Sequence, residues 1–298
     1  MAAINNIRSF LILARPHQYV KNTFVLLPLF FGHKFTDTAA LLNGFYAFWA
    51  FSFCASAIYA INDVVDASGD RVHPEKRKRP VASGLIAPVQ ALVFGSGLLI
   101  LSLLVSLLTG SRGFLLVLLG YFGLNLLYCL GLKRIVLVDI CCIGIGFVLR
   151  VIAGGAVAAV PVSHWIIIIT FLLALFLALA KRRDDVLLVN EQGTLVRENV
   201  ASYNMEFISS AMVVMASVTV VSYIMYTVSP DVIQLHRTDK LYLTSFWVLL
   251  GFLRYMQMTF VENKSGSPTL VLLRDVFLQV IIAAWLVNFF ILLYVGGR

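Results

Sequence analysis

Three aspartates at helical spacing are the residues of this sequence best suited to chemistry. Asp63, Asp66 and Asp70 stand at positions i, i+3 and i+7, so their carboxylates share one face if a helix continues through them. Like charges on one face repel each other, but a hard divalent cation among them would be held by oxygen ligands. Mg²⁺ suits such a site because it keeps several waters and shares its remaining positions with substrate phosphates. A solvated acidic helix end is the alternative interpretation.

A run of cations follows the aspartates. Lys76, Arg77, Lys78 and Arg79 begin six residues after Asp70. Ammonium and guanidinium groups beside carboxylates that hold a metal ion would neutralise the oxygens of a phosphate or diphosphate. Anchoring to lipid headgroups is the alternative for any single one of them. The combined pattern predicts magnesium-dependent chemistry on a phosphorylated substrate.

A second polar segment offers a weaker signal of the same kind. Lys181 and Arg182 can reach phosphate oxygens, and Asp184 and Asp185 offer one or two more metal ligands. Adjacent residues of a helix diverge by about 100°. We therefore expect only one of these two aspartates to face the site.

The elements that must position these residues are membrane-spanning helices. Hydrophobic residues make up 60% of the 298 positions and charged residues 13%, with a mean hydropathy of +0.91, which is too apolar for a soluble core. Apolar runs of roughly 20 residues, enough to cross a hydrocarbon layer of ~30 Å, recur from end to end. We expect one all-α membrane domain over 1–298, a bundle of about nine helices with cytoplasmic active-site loops at about 62–85 and 181–204. The predicted spans lie near 22–36, 39–61, 86–108, 113–131, 135–157, 163–181, 206–228, 240–259 and 272–295.

The basic residues predict the orientation of these spans. Of the 23 lysines and arginines, 17 fall on one side of the predicted membrane and five on the other, with Arg150 inside a span. Cytoplasmic loops retain Lys and Arg. We therefore expect a multi-pass protein of the inner (cytoplasmic) membrane, with a retained cytoplasmic N-terminus, an outside C-terminus and an active site at the cytoplasmic end. The same bias accounts for the net charge of +8 without a nucleic-acid partner. The four cysteines lie in apolar runs and are expected to be reduced hydrophobic residues.

At Asn62-Asp63-x-x-Asp66-x-x-x-Asp70 the sequence resembles the UbiA-type superfamily of intramembrane prenyltransferases. The resemblance covers the whole chain, and it implies a bundle of nine helices that binds Mg²⁺ and a prenyl diphosphate through two acidic motifs. The second motif departs from the superfamily pattern. An Asp-x-x-x-Asp is usual there, whereas Asp184 is followed four residues later by Leu188.

Five further stretches resemble a narrower branch, the decaprenyl-phosphate phosphoribosyltransferases. In that branch the diphosphate donor is phosphoribosyl pyrophosphate, and a polyprenyl phosphate is the acceptor. The product leads to a lipid-linked arabinose donor for arabinosylation of the cell envelope or of another glycan, with cell-wall arabinan among the destinations. The alternative is prenyl transfer from a prenyl diphosphate to an aromatic or lipid acceptor, against which the missing second motif and the excess of cations argue. The five stretches begin at Arg15, His73, Tyr128, Arg150 and Lys181.

The resemblance implies roles for the polar residues of both segments. Asp63, Asp66 and Asp70 are expected to be catalytic and to hold Mg²⁺ together with Asp185. The partners implied are phosphoribosyl pyrophosphate, polyprenyl phosphate and the lipid bilayer, and the oligomeric state stays open, as do the roles of Arg150 and Asp139. Arg77 and Arg79 are our choices for binding the 5-phosphate. The residues expected to bind substrate are Lys21, Asn62, Lys76, Arg77, Arg79, Tyr128, Lys133, Lys181 and Arg182.

Overall fold

The computed structural model describes residues 2–72, 75–192, 202–263 and 268–295. These residues form helices and connections, with no β-strand in the described ranges. They divide into two compact units, 1–162 and 163–298. Seven of the described helices are long and apolar enough to cross a membrane, which makes the chain a multi-pass membrane protein by length and composition.

The first unit is built around one long helix, α3, which packs against α1, α5, α6 and α7. Asp37 begins α3 by accepting hydrogen bonds from the backbone N–H groups of Ala39 and Ala40, both at 3.1 Å, the usual way of satisfying donors at a helix start. The rings of Phe51, Phe114 and Tyr121 fill the core beside it. The helices of this unit are α1 (Ala2–Ala14), α2 (Leu27–Phe31), α3 (Thr38–Val65), α4 (Ala67–Val72), α5 (Pro88–Leu107), α6 (Arg112–Leu130) and α7 (Val138–Ala158).

A 3-10 segment, Pro16–Leu26, joins α1 to α2 and occupies part of the first predicted span. The apolar pattern predicts one continuous helix near 22–36; the structure instead has this segment followed by the five residues of α2. Pro16 and Pro28 each lack a backbone N–H, and each stands at the start of one of the two pieces. The prolines thus divide a stretch whose apolar composition alone indicates one helix.

The second unit contains the remaining helices. Asn204 and Asp275 cap α9 and α13 by accepting from the N–H groups of Phe207 and Leu278, both at 2.7 Å. The eighth predicted span, near 240–259, is divided between a 3-10 turn, Lys240–Thr244, and a helix of 16 residues. The helices are α8 (His164–Gln192), α9 (Met205–Val228), α10 (Pro230–His236), α11 (Ser245–Phe260), α12 (Pro268–Arg274) and α13 (Val276–Phe290).

The predicted polar loops contain more helix than the hydropathy indicates. The loop expected at 181–204 begins inside α8, which continues to Gln192, while 193–201 lies outside the described residues. Lysine, arginine and aspartate are tolerated in a helix, and Arg182 pairs with Asp185 at i, i+3, so the helix outlasts its apolar stretch. The loop expected at 62–85 contains the end of α3, all of α4 and a 3-10 turn at Lys76–Lys78.

Candidate active site

The three aspartates lie where α3 passes into α4. Helix α3 ends at Val65, and Asp66 has φ −89° and ψ −2° between the two helices. The backbone N–H of Asp66 still donates to Asn62 O, and that of Asp70 to Asp66 O, each at 2.9 Å. Because these i to i−4 bonds continue through the junction, the helical spacing predicted from the sequence persists from Asn62 to Asp70.

Asp63 is the most enclosed of the three, with 1% of its side chain exposed. Its Oδ1 accepts from Arg15 Nη2 in a close ion pair and lies 3.5 Å from Arg79 Nη1. Its Oδ2 is buried and has no hydrogen-bond partner among the described residues. A buried carboxylate oxygen without a partner is costly, so this atom is well suited to coordinate a metal ion or to accept a hydrogen bond from a substrate.

Arg79 connects two of the carboxylates. Its Nη1 donates to Asp70 Oδ2 at 2.6 Å and lies 3.5 Å from Asp63 Oδ1. The residue directly follows the 3-10 turn Lys76–Lys78, where its backbone N–H donates to Lys76 O. The basic run therefore contributes at least one cation to the acidic face, as its position in the sequence indicates.

Lys133 supplies a third cation from the connection between α6 and α7. Its Nζ forms a close ion pair with Asp66 Oδ1 and lies 3.3 Å from Asn62 Oδ1. The 3-10 turn Leu132–Arg134 carries it directly after α6. Two residues predicted to bind substrate, Asn62 and Lys133, are thus brought together from positions 71 residues apart.

Arg15 belongs to this cluster and was missed as a candidate. It has φ 53° and ψ 55°, a left-handed conformation that non-glycine residues seldom adopt, and its guanidinium lies 5.0 Å from the centre of the Tyr59 ring. A lone arginine near a basic N-terminus is explained by the positive-inside bias. The available signal was its place at the head of the stretch from Arg15 to Asn22 that carried the resemblance.

Lys21 lies on the Pro16–Leu26 segment, outside the helices that qualify as membrane spans. Its burial, together with the nearby charges of Arg150 and Arg15, lowers the pKa of its ammonium group to about 8. An ammonium group in this setting gains from the arrival of an anion, because the anion offsets both the desolvation and the repulsion.

The other predicted residues of the first unit are placed less centrally. Lys76 is half-buried and Arg77 is exposed on the 3-10 turn, and Tyr128 is half-buried near the end of α6. Asp139 is fully buried in the first turn of α7. His73 and Pro74 lie outside the described residues. The roles assigned to these residues remain predictions.

The second polar segment lies in the second unit, on α8. Arg182 Nη1 donates to Asp185 Oδ2 at 3.0 Å, and only 1% of the Arg182 side chain is exposed. Lys181 and Asp184 are half-buried. Arg183 is buried as well and donates to Asn263 Oδ1 at 3.0 Å. Arg182 and Asp185 are therefore already paired with each other within this unit. The binding roles assigned to them and to Lys181 remain predictions.

The oxygen ligands of the first unit fit one mode of Mg²⁺ coordination. Within the described ranges, no group of three or more histidine, cysteine or acidic side chains is arranged to hold a metal ion by itself. Mg²⁺ is commonly bound by one or two carboxylates, with phosphate oxygens and waters completing its shell. Asp63 has an unpartnered oxygen, and Asp66 and the amide oxygen of Asn62 both accept from Lys133 Nζ; these oxygens match that mode. The residues fit a magnesium ion shared with a phosphorylated substrate.

Three proteins that share one name are similar to this chain over most of its length. It is similar to the decaprenyl-phosphate phosphoribosyltransferase of Mycolicibacterium smegmatis, with 33% identity over 295 residues that cover 94% of this chain and 91% of the relative. A protein of the same name from Corynebacterium glutamicum is 34% identical, covering 91% of this chain and 82% of the relative. One from Mycobacterium tuberculosis is 31% identical, covering 91% and 90%.

Solved structures share the fold at lower identity. A UbiA homolog from Archaeoglobus fulgidus, bound to GPP and Mg²⁺, matches with a TM-score of 0.73 over 96% of this chain and 100% of that chain, at 20% identity. A digeranylgeranylglyceryl phosphate synthase matches with a TM-score of 0.66 over 96% of this chain and 98% of that chain, at 17% identity. These likenesses establish a UbiA-like arrangement of helices. A profile of the UbiA prenyltransferase family matches residues 25–278, and the chain belongs to that family.

Proposed function

We propose that this protein transfers the 5-phosphoribosyl group of phosphoribosyl pyrophosphate to a polyprenyl phosphate and releases pyrophosphate. The observation that carries the proposal is the similarity of nearly the whole chain to three proteins named for that activity, at 31% to 34% identity. The cluster around Asp63 supports it, because the reactants bring several anionic groups to one place. The reaction class is pentosyl transfer, and its product is a precursor of a lipid-linked arabinose donor for cell-wall arabinan.

The cations of the first unit match the charge of these reactants. Phosphoribosyl pyrophosphate carries a diphosphate and a separate 5-phosphate, and the acceptor carries another phosphate. Arg15, Arg79 and Lys133 already stand beside carboxylates, so they are held in place before substrate arrives. Donors fixed in advance need little reorganisation when charge develops on a leaving group. Lys21 adds a fourth cation, and Lys76 and Arg77 extend the basic surface.

Asp63, Asp66, Asp70 and Asn62 are the residues that would hold Mg²⁺ in the first unit. The ion, when bound, supplies positive charge to the oxygens of the leaving diphosphate. For Asp185 we propose a role as a metal ligand, and for Lys181 and Arg182 a role in binding phosphate oxygens, as their sequence pattern indicates. The basic side chains outnumber the aspartates, and this excess of positive charge suits a site that binds the diphosphate and the 5-phosphate together.

The transfer itself exchanges one bond for another at C1 of the ribose. The bond from C1 to the diphosphate oxygen breaks, and its electron pair leaves with pyrophosphate. An oxygen of the acceptor phosphate forms the new bond to C1. That oxygen is already anionic, so no strong general base is required, and positioning together with charge neutralisation supplies most of the catalysis.

The proposed topology follows from the water-soluble donor. Phosphoribosyl pyrophosphate is water-soluble, so it meets the enzyme at an aqueous end of the spans, and we propose the cytoplasmic end in the inner membrane. The count of 17 basic residues on the side of the N-terminus supports the same orientation. The N-terminus is then cytoplasmic and the C-terminus outside.

Purified protein in lipid vesicles tests the activity directly. Labelled phosphoribosyl pyrophosphate, Mg²⁺ and polyprenyl phosphate are incubated with the protein, and the lipid is extracted. Label should enter the lipid phase only when Mg²⁺ and the polyprenyl phosphate are both present. The second candidate is prenyl transfer, which the archaeal relative bound to GPP favours. Transfer from a labelled prenyl diphosphate to 4-hydroxybenzoate, with no label transferred from phosphoribosyl pyrophosphate, would establish that alternative instead.

A further inference from the structure

Arg150 is a buried cation of α7 whose hydrogen bonds are all to neutral groups. Only 5% of its surface is exposed. Its Nε donates to Asn22 Oδ1 at 2.8 Å, its Nη1 to Gly146 O at 2.8 Å and its Nη2 to Tyr121 OH at 2.7 Å. No carboxylate of the described residues forms an ion pair with it. A buried charge without an opposite charge is costly. These three hydrogen bonds therefore have to compensate for its burial, and they hold the guanidinium in one orientation.

Aromatic rings surround the same guanidinium. Its carbon lies 4.6 Å from the centre of the Tyr121 ring, 5.3 Å from that of Phe147 and 6.0 Å from that of Phe51. The ring faces offset part of the desolvation cost. They also restrict the planar group, so that its Nε points at Asn22 and does not move to another acceptor.

Asn22 joins three parts of the first unit. It accepts from Arg150 on α7, and its own Nδ2 donates to Ser52 Oγ on α3 at 3.0 Å. The Asn22 side chain is buried. The residue lies in the middle of the Pro16–Leu26 segment, one position after Lys21 and seven after Arg15. This amide therefore ties the segment that carries Lys21 and directly follows Arg15 to two membrane-spanning helices.

The contact between the segment and α7 leaves no spare room. A Cβ placed on Gly154 would lie 2.0 Å from Val25 O, so the segment's backbone packs directly on the helix. Tyr19 OH and Ser56 Oγ share a hydrogen bond of 2.9 Å on the other side. A segment gripped at three points has few alternative placements once Asn22 is fixed.

We propose that Arg150 is a positioning residue for the phosphoribosyl pyrophosphate site, which it shapes through Asn22 by fixing the Pro16–Leu26 segment. That segment begins directly after Arg15, which pairs with Asp63, and it carries Lys21. The inference rests on the proposed function for its substrate. Its structural part, the dependence of the segment on Arg150, can be measured without turnover.

The kinetic test uses a double-mutant cycle. Arg150→Met and Asn22→Ala should each lower kcat/KM for phosphoribosyl pyrophosphate at least tenfold, and the double variant should be no worse than the poorer single variant, because both break one connection. The KM for polyprenyl phosphate should stay within twofold. Arg150→Lys should recover less than a third of the loss, since an ammonium group cannot bond Asn22, Gly146 and Tyr121 together. The matched control is Arg112→Met, an exposed arginine at the start of α6, which should behave as wild type.

Hydrogen–deuterium exchange supplies the readout that does not depend on activity. In Arg150→Met, amides of 16–26 should exchange at least tenfold faster than in wild type, while those of α5 should not change. If Arg150→Met does not purify as a monodisperse protein, Asn22→Ala gives both readouts with the guanidinium retained.

The outcomes separate this inference from the proposed function. Unchanged exchange in 16–26, full rescue by Arg150→Lys, or additive losses in the double variant would each overturn the positioning role. Faster exchange in 16–26, combined with a wild-type protein that transfers no phosphoribosyl group, would support the structural dependence and reject the substrate.

Discussion

Arg15 and Asp63 form an ion pair across 48 positions of the sequence, with the carboxylate almost fully enclosed. The pair closes the site at the point where α1 ends and the Pro16–Leu26 segment begins. A buried carboxylate needs such a partner, because removing one member of a buried pair leaves the other charge uncompensated. The left-handed backbone at Arg15 is the conformational cost of directing its side chain to Asp63.

Replacing Arg15 should abolish most of the activity. Arg15→Ala should lower kcat/KM for phosphoribosyl pyrophosphate by about 100-fold or more, corresponding to ~3 kcal/mol, whereas Arg15→Lys should retain more activity because it keeps the charge. The measurement is initial rate in vesicles at varied donor concentration. Arg8→Ala, at an exposed arginine of α1, the helix that ends just before Arg15, is the control. Equal effects of the two alanine variants would show that general charge, and not the pair with Asp63, is being measured.

The aspartates should differ in how much they matter. Asp63 is 1% exposed and contacts two cations, whereas the Asp66 side chain is 31% exposed and pairs with Lys133. Both Asp63→Asn and Asp66→Asn should lower turnover by orders of magnitude even at saturating Mg²⁺, because a lost metal ligand weakens the charge neutralisation of the leaving diphosphate, with Asp63→Asn the worse. Activity titrated against Mg²⁺ is the measurement, and both curves should shift to higher Mg²⁺. Near-normal turnover of both variants at saturating Mg²⁺ would reduce the acidic face to a solvated helix end.

Arg79 and Arg77 should separate in the same assay. Both are predicted to bind the 5-phosphate; of the two, Arg79 contacts a carboxylate and Arg77 is exposed. Arg79→Ala should raise the KM for phosphoribosyl pyrophosphate at least tenfold and Arg77→Ala severalfold, with little change in the KM for polyprenyl phosphate. Arg79→Lys should rescue only part of the loss because it lacks the planar fork. A rise confined to the KM for polyprenyl phosphate would reassign this loop to the acceptor headgroup.

The ammonium group of Lys21 gives the enzyme a pH dependence of stated sign. Its pKa is lowered to about 8, mainly by burial, so the group loses its charge as pH rises through that value. The kcat/KM for phosphoribosyl pyrophosphate should decline above about pH 8, since it reports groups of the free enzyme. Lys21→Arg should remove the decline, because guanidinium stays charged.

Stability should move in the opposite direction over the same range. Between the lowered pKa of about 8 and the ordinary value near ~10.4, the unfolded chain binds more protons at Lys21 than the folded chain does. Stability therefore gains from this group as pH rises there. The measurement is thermal unfolding at each pH of wild type and of Lys21→Arg, in which this gain should be absent. Lys34→Arg, at a partly exposed lysine of the same unit, is the control and should behave as wild type. A decline of kcat/KM that survives in Lys21→Arg would assign the titration to another group.

Gly154, where α7 packs against the Pro16–Leu26 segment, should not tolerate a side chain. Gly154→Ala would place a methyl group 2.0 Å from Val25 O, and because the obstacle is backbone, relief requires the segment to move. We expect a loss of about 3 kcal/mol or more in unfolding free energy. Gly123→Ala on α6, where a Cβ meets nothing within 4 Å, is the matched control and should cost nothing. Similar melting temperatures for the two variants would contradict the tight contact.

The sequence allowed the acidic face and two of its cations to be predicted. Asp63, Asp66 and Asp70 are close in sequence, and helical geometry relates their side chains directly. Arg79 and Lys133 stood out because they lie in basic stretches beside predicted helix ends. The comparisons confirmed the family inferred from the same motif.

Other parts of the site depend on contacts that no local pattern reveals. The hydrogen bond from Arg150 to Asn22 spans 128 positions, and a buried arginine in an apolar span does not indicate its partner. Hydropathy also misjudged the ends of helices. It merged the Pro16–Leu26 segment with α2 into one span and ended α8 at Lys181, because it measures apolar content and not the prolines or ion pairs that decide where a helix stops.

The length of α3 sets the depth at which the reaction would take place. Its 28 residues, at a rise of 1.5 Å each, extend about 42 Å, which exceeds the ~30 Å thickness of the hydrocarbon layer by about 12 Å. Asp63 lies in the last turn of that helix, so excess length that extends beyond the hydrocarbon at this end would carry it to the level of the lipid headgroups. A polyprenyl phosphate could then present its headgroup to the carboxylates while its chain stays among the lipid tails. Neither reactant would have to leave its own phase, and the enzyme would need no step that lifts the lipid out of the membrane.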